Sequence, residues 1–216
     1  AACVKCEAGK YLTTAGNAFE SDCMLCAEGK YSSSAGSTDC VLCEAGKHSD
    51  AQGANSSNVC VSCGAGKYLE TAGNDEERDC IECGAGTYSV LTGATTSAAC
   101  VDCEAGKYLP VYGSDEEQDC VSCRAGAYSA VLGATSYLTC EACVAGKYSN
   151  TLNATSEAAC VKCEAGKYLT TVGNDHETDC VSCVEGKYSA MIGAMDPATC
   201  DDCVAGKFAP TQGGAA

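Results

Sequence analysis

The sequence predicts a small disulfide-rich repeat array: an elongated rod or solenoid of ~20-residue units with short β-hairpins, little helix and no single hydrophobic core. Two compositional facts and one pattern predict it. The 216-residue chain holds 22 Cys, about a tenth of its residues, and no Trp. Leu, Ile, Val and Phe together number 29, about 13%, while the formal net charge is −16. Such a composition ordinarily marks a disordered chain, because too few large side chains exist to fill one core. Order must then come from covalent bonds or metals. The pattern is a strict cysteine period.

Eleven Cys-x-x-Cys pairs run along the chain, with first members at Cys3, Cys23, Cys40, Cys60, Cys80, Cys100, Cys120, Cys140, Cys160, Cys180 and Cys200. The step is 20 residues, except for one of 17 between Cys23 and Cys40. A glycine stands three residues after each second cysteine, as at Gly9, Gly29 and Gly206. An aromatic residue stands at the fifth position, where His48 is the exception and Phe208 replaces Tyr. A second glycine stands at the tenth position, replaced once by Asn153. Counted from the second cysteines at 6, 26, 43, 63, 83, 103, 123, 143, 163 and 183, residues 1–216 form tandem cysteine-rich repeats, about ten complete units with a truncated unit at 203–216. One flavour reads Tyr-Leu with a later Asp-Glu-Glu run, as in 68–80 and 108–120; the other reads Tyr-Ser with Gly-Ala-Thr. They mostly alternate, giving a partial 40-residue super-period.

Each element has a local cause. Lys-Tyr-Ser or Lys-Tyr-Leu reads as a short β-segment entered through a glycine turn, and Cys-Val-x-Cys as a second extended segment. The tenth-position glycine supplies a positive-φ turn, which Asn153 tolerates better than other non-glycine residues. In the acidic flavour, Asn74, Ser114 or Asn174 is expected to cap one turn of helix, with Asp and Glu in its first turn.

The cysteines admit two chemistries. Cys-x2-Cys-x16-Cys-x2-Cys fits a zinc ribbon, and it equally fits a disulfide framework. Three observations favour disulfides. The eleven pairs run on without the gaps that separate ribbon domains. Two glycosylation sequons, Asn55-Ser56-Ser57 and Asn153-Ala154-Thr155, carry meaning only in a secreted chain. The loops also lack the basic residues of nucleic-acid binders. Catalytic redox cysteines would appear as one motif beside a βαβ pattern, not eleven copies. The acidic balance argues against nucleic-acid and anionic-membrane partners. No apolar run approaches a membrane span, and the opening Ala1-Ala2-Cys3 already lies inside the motif, as expected of a mature or excised segment.

The text Cys-x-x-Cys-x-Ala-Gly-Lys-Tyr-Ser, followed by Gly, Thr and the next Cys-x-x-Cys, resembles the ephrin-receptor-like cysteine-rich (GCC-type) tandem repeats. These are related to the first submodule of tumour-necrosis-factor-receptor cysteine-rich domains. The resemblance implies a pairing of each second cysteine with the first cysteine of the following pair: Cys6–Cys23, Cys26–Cys40, Cys43–Cys60, Cys63–Cys80, Cys83–Cys100, Cys103–Cys120, Cys123–Cys140, Cys143–Cys160, Cys163–Cys180 and Cys183–Cys200. A loop of about 16 residues closed this way gains on the order of 3 kcal/mol. The fifth-position Tyr is expected to cover the disulfide of its own or the next repeat. Cys3 and Cys203 are left over. Placing a second copy after Ala216 puts its Cys3 sixteen residues beyond Cys203, against seventeen in the usual loop and fourteen in the short one. An inter-subunit or next-segment disulfide between them, giving copies joined head to tail or a longer array, is the expectation.

Other residues carry weaker signals. The acidic loops at 75–79, 115–119 and 175–179 read as solvated turns and leave weak divalent-cation binding between neighbours open. His48 substitutes for Tyr and His176 sits in an acidic loop; neither has an implied nucleophile or orienting partner, so no catalysis and no cofactor are expected. Asn55 and Asn153 are glycosylation candidates. The functional expectation is a non-enzymatic, secreted or cell-surface structural glycoprotein, a disulfide-stapled rod in an extracellular fibre, sheath or surface appendage. The alternatives are the stalk or ligand-binding ectodomain of a cell-surface receptor, and an intracellular zinc-ribbon array. A ligand patch would require one repeat to diverge in exposed apolar residues, for which Tyr112, Tyr137-Leu138 and Met191-Ile192 are the candidates.

Overall fold

The structure is a computed structural model that describes residues 3–215. It is a small disulfide-rich repeat array. Its regular elements are two-residue strands from Lys10–Tyr11 to Asp201–Asp202, and three-residue 3-10 turns between them. By proximity the described repeats group into two compact units, residues 3–101 with 111–119 and residues 102–110 with 120–215.

The repeat starting at Cys143 shows how the text makes the fold. After the cysteine, Val144 O accepts from Lys147 N–H at 3.1 Å, closing a turn with Gly146 at φ +79°. A positive φ at that place is the requirement of a type II turn, which glycine meets without strain. The turn feeds Lys147–Tyr148, which pairs antiparallel with Val161–Lys162, Tyr148 opposite Val161. A disulfide from Cys143 to Cys160 closes the loop between the two strands. Two strand residues per side would not hold in water alone, so covalent closure and the next repeat supply the rest.

Consecutive repeats share a backbone ladder. Gly146 N–H donates to Leu169 O (2.8 Å), Ser149 N–H to Asn174 O (3.0 Å), Cys163 N–H to Gly146 O (2.9 Å) and Gly173 N–H to Cys143 O (2.8 Å). Tyr148 forms a parallel bridge with Asn174. In the first unit the same bonds recur: Gly46 to Leu69 O (2.8 Å), Ser49 to Asn74 O (3.1 Å), Cys63 to Gly46 O (2.9 Å) and Gly73 to Cys43 O (2.8 Å). His48 keeps the ladder place of Tyr, opposite Val61 and bridged to Asn74.

Repeats two apart also touch. A Cβ added to Gly146 would lie 2.3 Å from Gly193 O, and one added to Gly46 would lie 2.3 Å from Gly93 O. The third-position glycine therefore serves both the turn and this close backbone approach. At the tenth position Asn153 has φ +58°, alone among the described non-glycine residues in being positive.

The interior is built of sulfur and one other position. The disulfide-bonded second cysteines, among them Cys26, Cys43, Cys63, Cys83, Cys103 and Cys143, are buried. So is the residue after the fifth-position Tyr or His in these repeats, whether Leu69, Leu109 and Leu169 or Ser49, Ser89 and Ser149. Tyr148 packs on the cluster of Cys163, Leu169 and Cys180, which belongs to the following repeat.

The expected helical turn is corrected in place and kind. It is a 3-10 turn at Glu77–Asp79 and Glu177–Asp179, and its caps are Glu76 and His176 rather than Asn74 and Asn174. Asp79 Oδ2 accepts from Glu76 N–H (3.1 Å) and Asp179 Oδ2 from His176 N–H (3.0 Å). Asn74 and Asn174 cannot cap, because their backbones are held in the inter-repeat ladder. Their Nδ2 groups instead donate back to Thr71 O (2.6 Å) and Thr171 O (2.7 Å). Ser114 is likewise committed, accepting from Ser89 N–H at 3.0 Å. The turn also recurs outside the acidic flavour, at Ser57–Val59 and Ser97–Ala99.

Candidate functional site

Thiol chemistry is almost wholly consumed by structure. Among the described residues ten disulfides join Cys6–Cys23, Cys26–Cys40, Cys43–Cys60, Cys63–Cys80, Cys83–Cys100, Cys103–Cys120, Cys123–Cys140, Cys143–Cys160, Cys163–Cys180 and Cys183–Cys200. Each spans 17 residues except the second, which spans 14. Cα–Cα distances of 5.6–5.8 Å lie in the ordinary range for a bridge. Cys3 is free and exposed; Cys203 is free and half-buried. Cys203 is nonetheless in ladder register, its N–H donating to Gly186 O at 3.0 Å. Ala1, Ala2 and Ala216, which would form a head-to-tail join, lie outside the described residues.

The charged side chains form straps. The fourth-position lysine crosses its loop to the acid that opens the 3-10 turn: Lys10 to Glu20 at 3.3 Å, Lys67 to Glu77 at 3.7 Å, Lys147 to Glu157 at 2.6 Å and Lys167 to Glu177 at 3.0 Å. The hydrogen bond from Lys147 holds the Glu157 carboxyl below its usual range, and the bond to Glu177 holds the Lys167 ammonium above its own. These pairs are largely solvent-exposed, so each contributes little to stability. Among the described residues no three His, Cys, Asp or Glu side chains converge as ligands of a metal ion.

Asn55 and Asn153 are both exposed. Ser56 Oγ, in the first sequon, accepts from Asn58 N–H at 3.2 Å and so caps the turn that follows. His48 and His176 lie in the strand and at the cap already described, each serving a backbone position.

One repeat departs from the others. Between Cys123 and Cys140 there is no strap, Ala127 stands where the lysine stands, and Tyr137 opens the 3-10 turn Tyr137–Thr139 where other repeats have Glu, Ser or, at Pro197, proline. Ala127 is buried, while Tyr137 and Leu138 are 65% and 75% exposed. The exchange opens a cavity of about 460 Å³ lined by Tyr108, Arg124, Ala127, Tyr137, Leu138 and Ala142, among others. Arg124 Nη2 lies 3.4 Å from where a Cβ on Gly173 would stand. In the same hairpin Glu141 replaces the usual Val, and Tyr128 Oη donates to Glu141 Oε2 at 2.9 Å. That bond pushes the Tyr128 phenol above its usual range. Sequence reading flagged Tyr137 and Leu138. It missed Ala127, whose signal was the loss of a lysine that most other repeats keep.

Residues 14–60 match the family model described as tyrosine-protein kinase ephrin type A/B receptor-like. No curated protein matches the chain. Among the described residues no helix is long and apolar enough to cross a membrane. The matched segment contains the Cys26–Cys40 and Cys43–Cys60 loops, and the same closed hairpin recurs on both sides of it. With that motif repeated about every 20 residues, the chain is a disulfide-rich repeat array of the extracellular kind, whose units resemble the ephrin-receptor-like cysteine-rich module matched at residues 14–60.

Proposed function

We propose that this chain is a non-enzymatic structural glycoprotein of the extracellular space, a disulfide-stapled building block that forms or spaces a fibre, sheath or surface appendage. The observation that carries this reading is the uniform ladder. Within each compact unit the repeats use the same backbone bonds to their neighbours, so repeats add without any new interface being invented. Most positions that vary between repeats are solvent-facing, which suits a spacer whose units share one task. Copies join head to tail through Cys203 of one and Cys3 of the next, since Cys203 already sits in ladder register. Exposed Asn55 and Asn153 carry N-linked sugar, which solubilises a chain with little core.

Electron micrographs and non-reducing electrophoresis of the oxidised chain test the reading together. Regular filaments, with a covalent ladder of multiples lost in Cys3→Ser, support it. Monomers with two persistent free thiols at millimolar chain concentration would overturn it.

A further inference from the structure

We propose that the repeat from Cys123 to Cys140 holds a binding site for an acidic peptide segment, one presenting an aliphatic side chain beside a carboxylate. The inference goes beyond the structural reading and does not depend on filaments. It starts from an exchange of chemistry at one place in a repeating frame. In other repeats the fourth position and the head of the 3-10 turn are bridged by a lysine and a glutamate, as Lys147–Glu157 and Lys167–Glu177 are, or the turn opens without a strap on the small residues Ser57, Ser97 and Pro197. A strap fills the space between strand and turn. With Ala127 and Tyr137 there instead, the space is open, and its walls are Tyr108, Ala127, Leu138 and Ala142.

Tyr137 and Leu138 are exposed side by side on a turn whose counterparts include Glu-Ala, Glu-Thr and Ser-Asn. Aromatic and aliphatic residues grouped around a recess, with arginine at the edge, form the composition that dominates recognition surfaces. The recess, at about 460 Å³, lies within the range of small-ligand pockets.

Charge selects the occupant. Arg124 replaces the Glu, Val, Gly or Ala that follows the second cysteine in the other repeats. Among the described residues no carboxylate pairs with its guanidinium. A guanidinium left unpaired beside an apolar recess in a chain of net charge −16 is complementary to a carboxylate. Besides Arg124, the polar side chains of the lining are Ser122 and the phenols of Tyr108 and Tyr137. An aliphatic side chain next to a carboxylate satisfies both walls and edge.

The test is an NMR titration of the intact oxidised chain, observing the Tyr108 and Tyr137 rings and the Leu138 methyls. The probes are acetyl-Leu-Asp-amide, its uncharged isostere acetyl-Leu-Asn-amide, and sodium glucuronate. The expected result is saturable shifts confined to this recess, with the acid dipeptide bound at least ~10-fold more tightly than the amide. Arg124→Gln removes that discrimination, and Tyr137→Ser, which installs the residue of Ser57 and Ser97, weakens both dipeptides. Unchanged disulfide mapping and hairpin amide shifts in both variants show that the fold persists. Absence of saturable shifts up to about 20 mM dipeptide, equal affinity for acid and amide, or response to glucuronate with the dipeptides silent would each overturn the proposal.

Discussion

Alanine at Gly146 and at Gly186 should have unequal consequences, although the two glycines share a conformation. Their φ values are +79° and +80°, so either substitution forces an L-residue into the left-handed region, at about 1–2 kcal/mol. The difference lies in the surroundings. A Cβ at Gly146 would lie 2.3 Å from Gly193 O and 2.9 Å from its carbonyl carbon, whereas a Cβ at Gly186 meets nothing within 4 Å. Ordinary contact begins near 3.4 Å, so the backbone at Gly193 has to retreat by about 1 Å, and overpacking of that order costs a further 1–3 kcal/mol. Gly146→Ala is therefore expected to cost roughly 2–5 kcal/mol against 1–2 for Gly186→Ala. Denaturant unfolding of the oxidised chain reads the totals. Amide exchange at Gly193, whose N–H donates to Cys163 O at 2.7 Å, locates the damage. Equal destabilisation by the two variants, with Gly193 exchange unchanged, would refute contact between repeats two apart.

Removing the Cys163–Cys180 bridge by paired serine substitution should cost about 3 kcal/mol, and removing the shorter Cys26–Cys40 bridge nearly the same, because closure entropy grows only logarithmically with loop length; calorimetry under oxidising conditions checks both. Leu169→Ala, at a buried position packed on Cys163 and Cys180, should lose about 2–5 kcal/mol, with accelerated amide exchange confined to neighbouring repeats. The Glu157 carboxyl, held low by Lys147, should titrate below the ordinary carboxylate range and return to it in Lys147→Met; its contribution is present above the unfolded-state pKa and fades as pH falls through the folded one. The Tyr128 phenol, held high by its bond to Glu141, should titrate above the ordinary range and come down in Glu141→Val; that contribution is present below the unfolded-state pKa and is lost as pH rises through the folded one. NMR titration follows both groups.

The hairpins were legible because their determinants are local. Gly-Lys-Tyr sets a turn and a strand, and Cys-Val sets the strand it meets, as Tyr148 and Val161 do. Asn153 at φ +58° was legible for the same reason, being the tolerated substitute at one residue's own backbone. The 3-10 turn was misplaced because its start depends on a partner in another repeat. Asn74 looks like a cap in isolation, yet Ser49 has claimed its carbonyl. Burial of the sixth position was hidden by polarity. Ser49, Ser89 and Ser149 are polar, but their side chains accept from backbone N–H groups two residues on and need no water. The recess at Ala127 was only half legible, since its cause is an absent strap and absence shows only against the other repeats.

The 14-residue loop has a practical consequence. Between Cys26 and Cys40 there is no 3-10 turn, yet the surrounding ladder is intact: Gly29 N–H reaches Ser49 O at 2.7 Å, Ser32 N–H reaches Ala54 O at 2.9 Å and Gly36 N–H reaches Cys6 O at 2.7 Å. The turn is thus a dispensable insert on a frame that keeps its pitch without it. Foreign sequence such as an epitope, a tag or a cleavage site can be spliced just ahead of the closing cysteine of any chosen loop. The grafts would then recur at whatever spacing along the array the engineer selects.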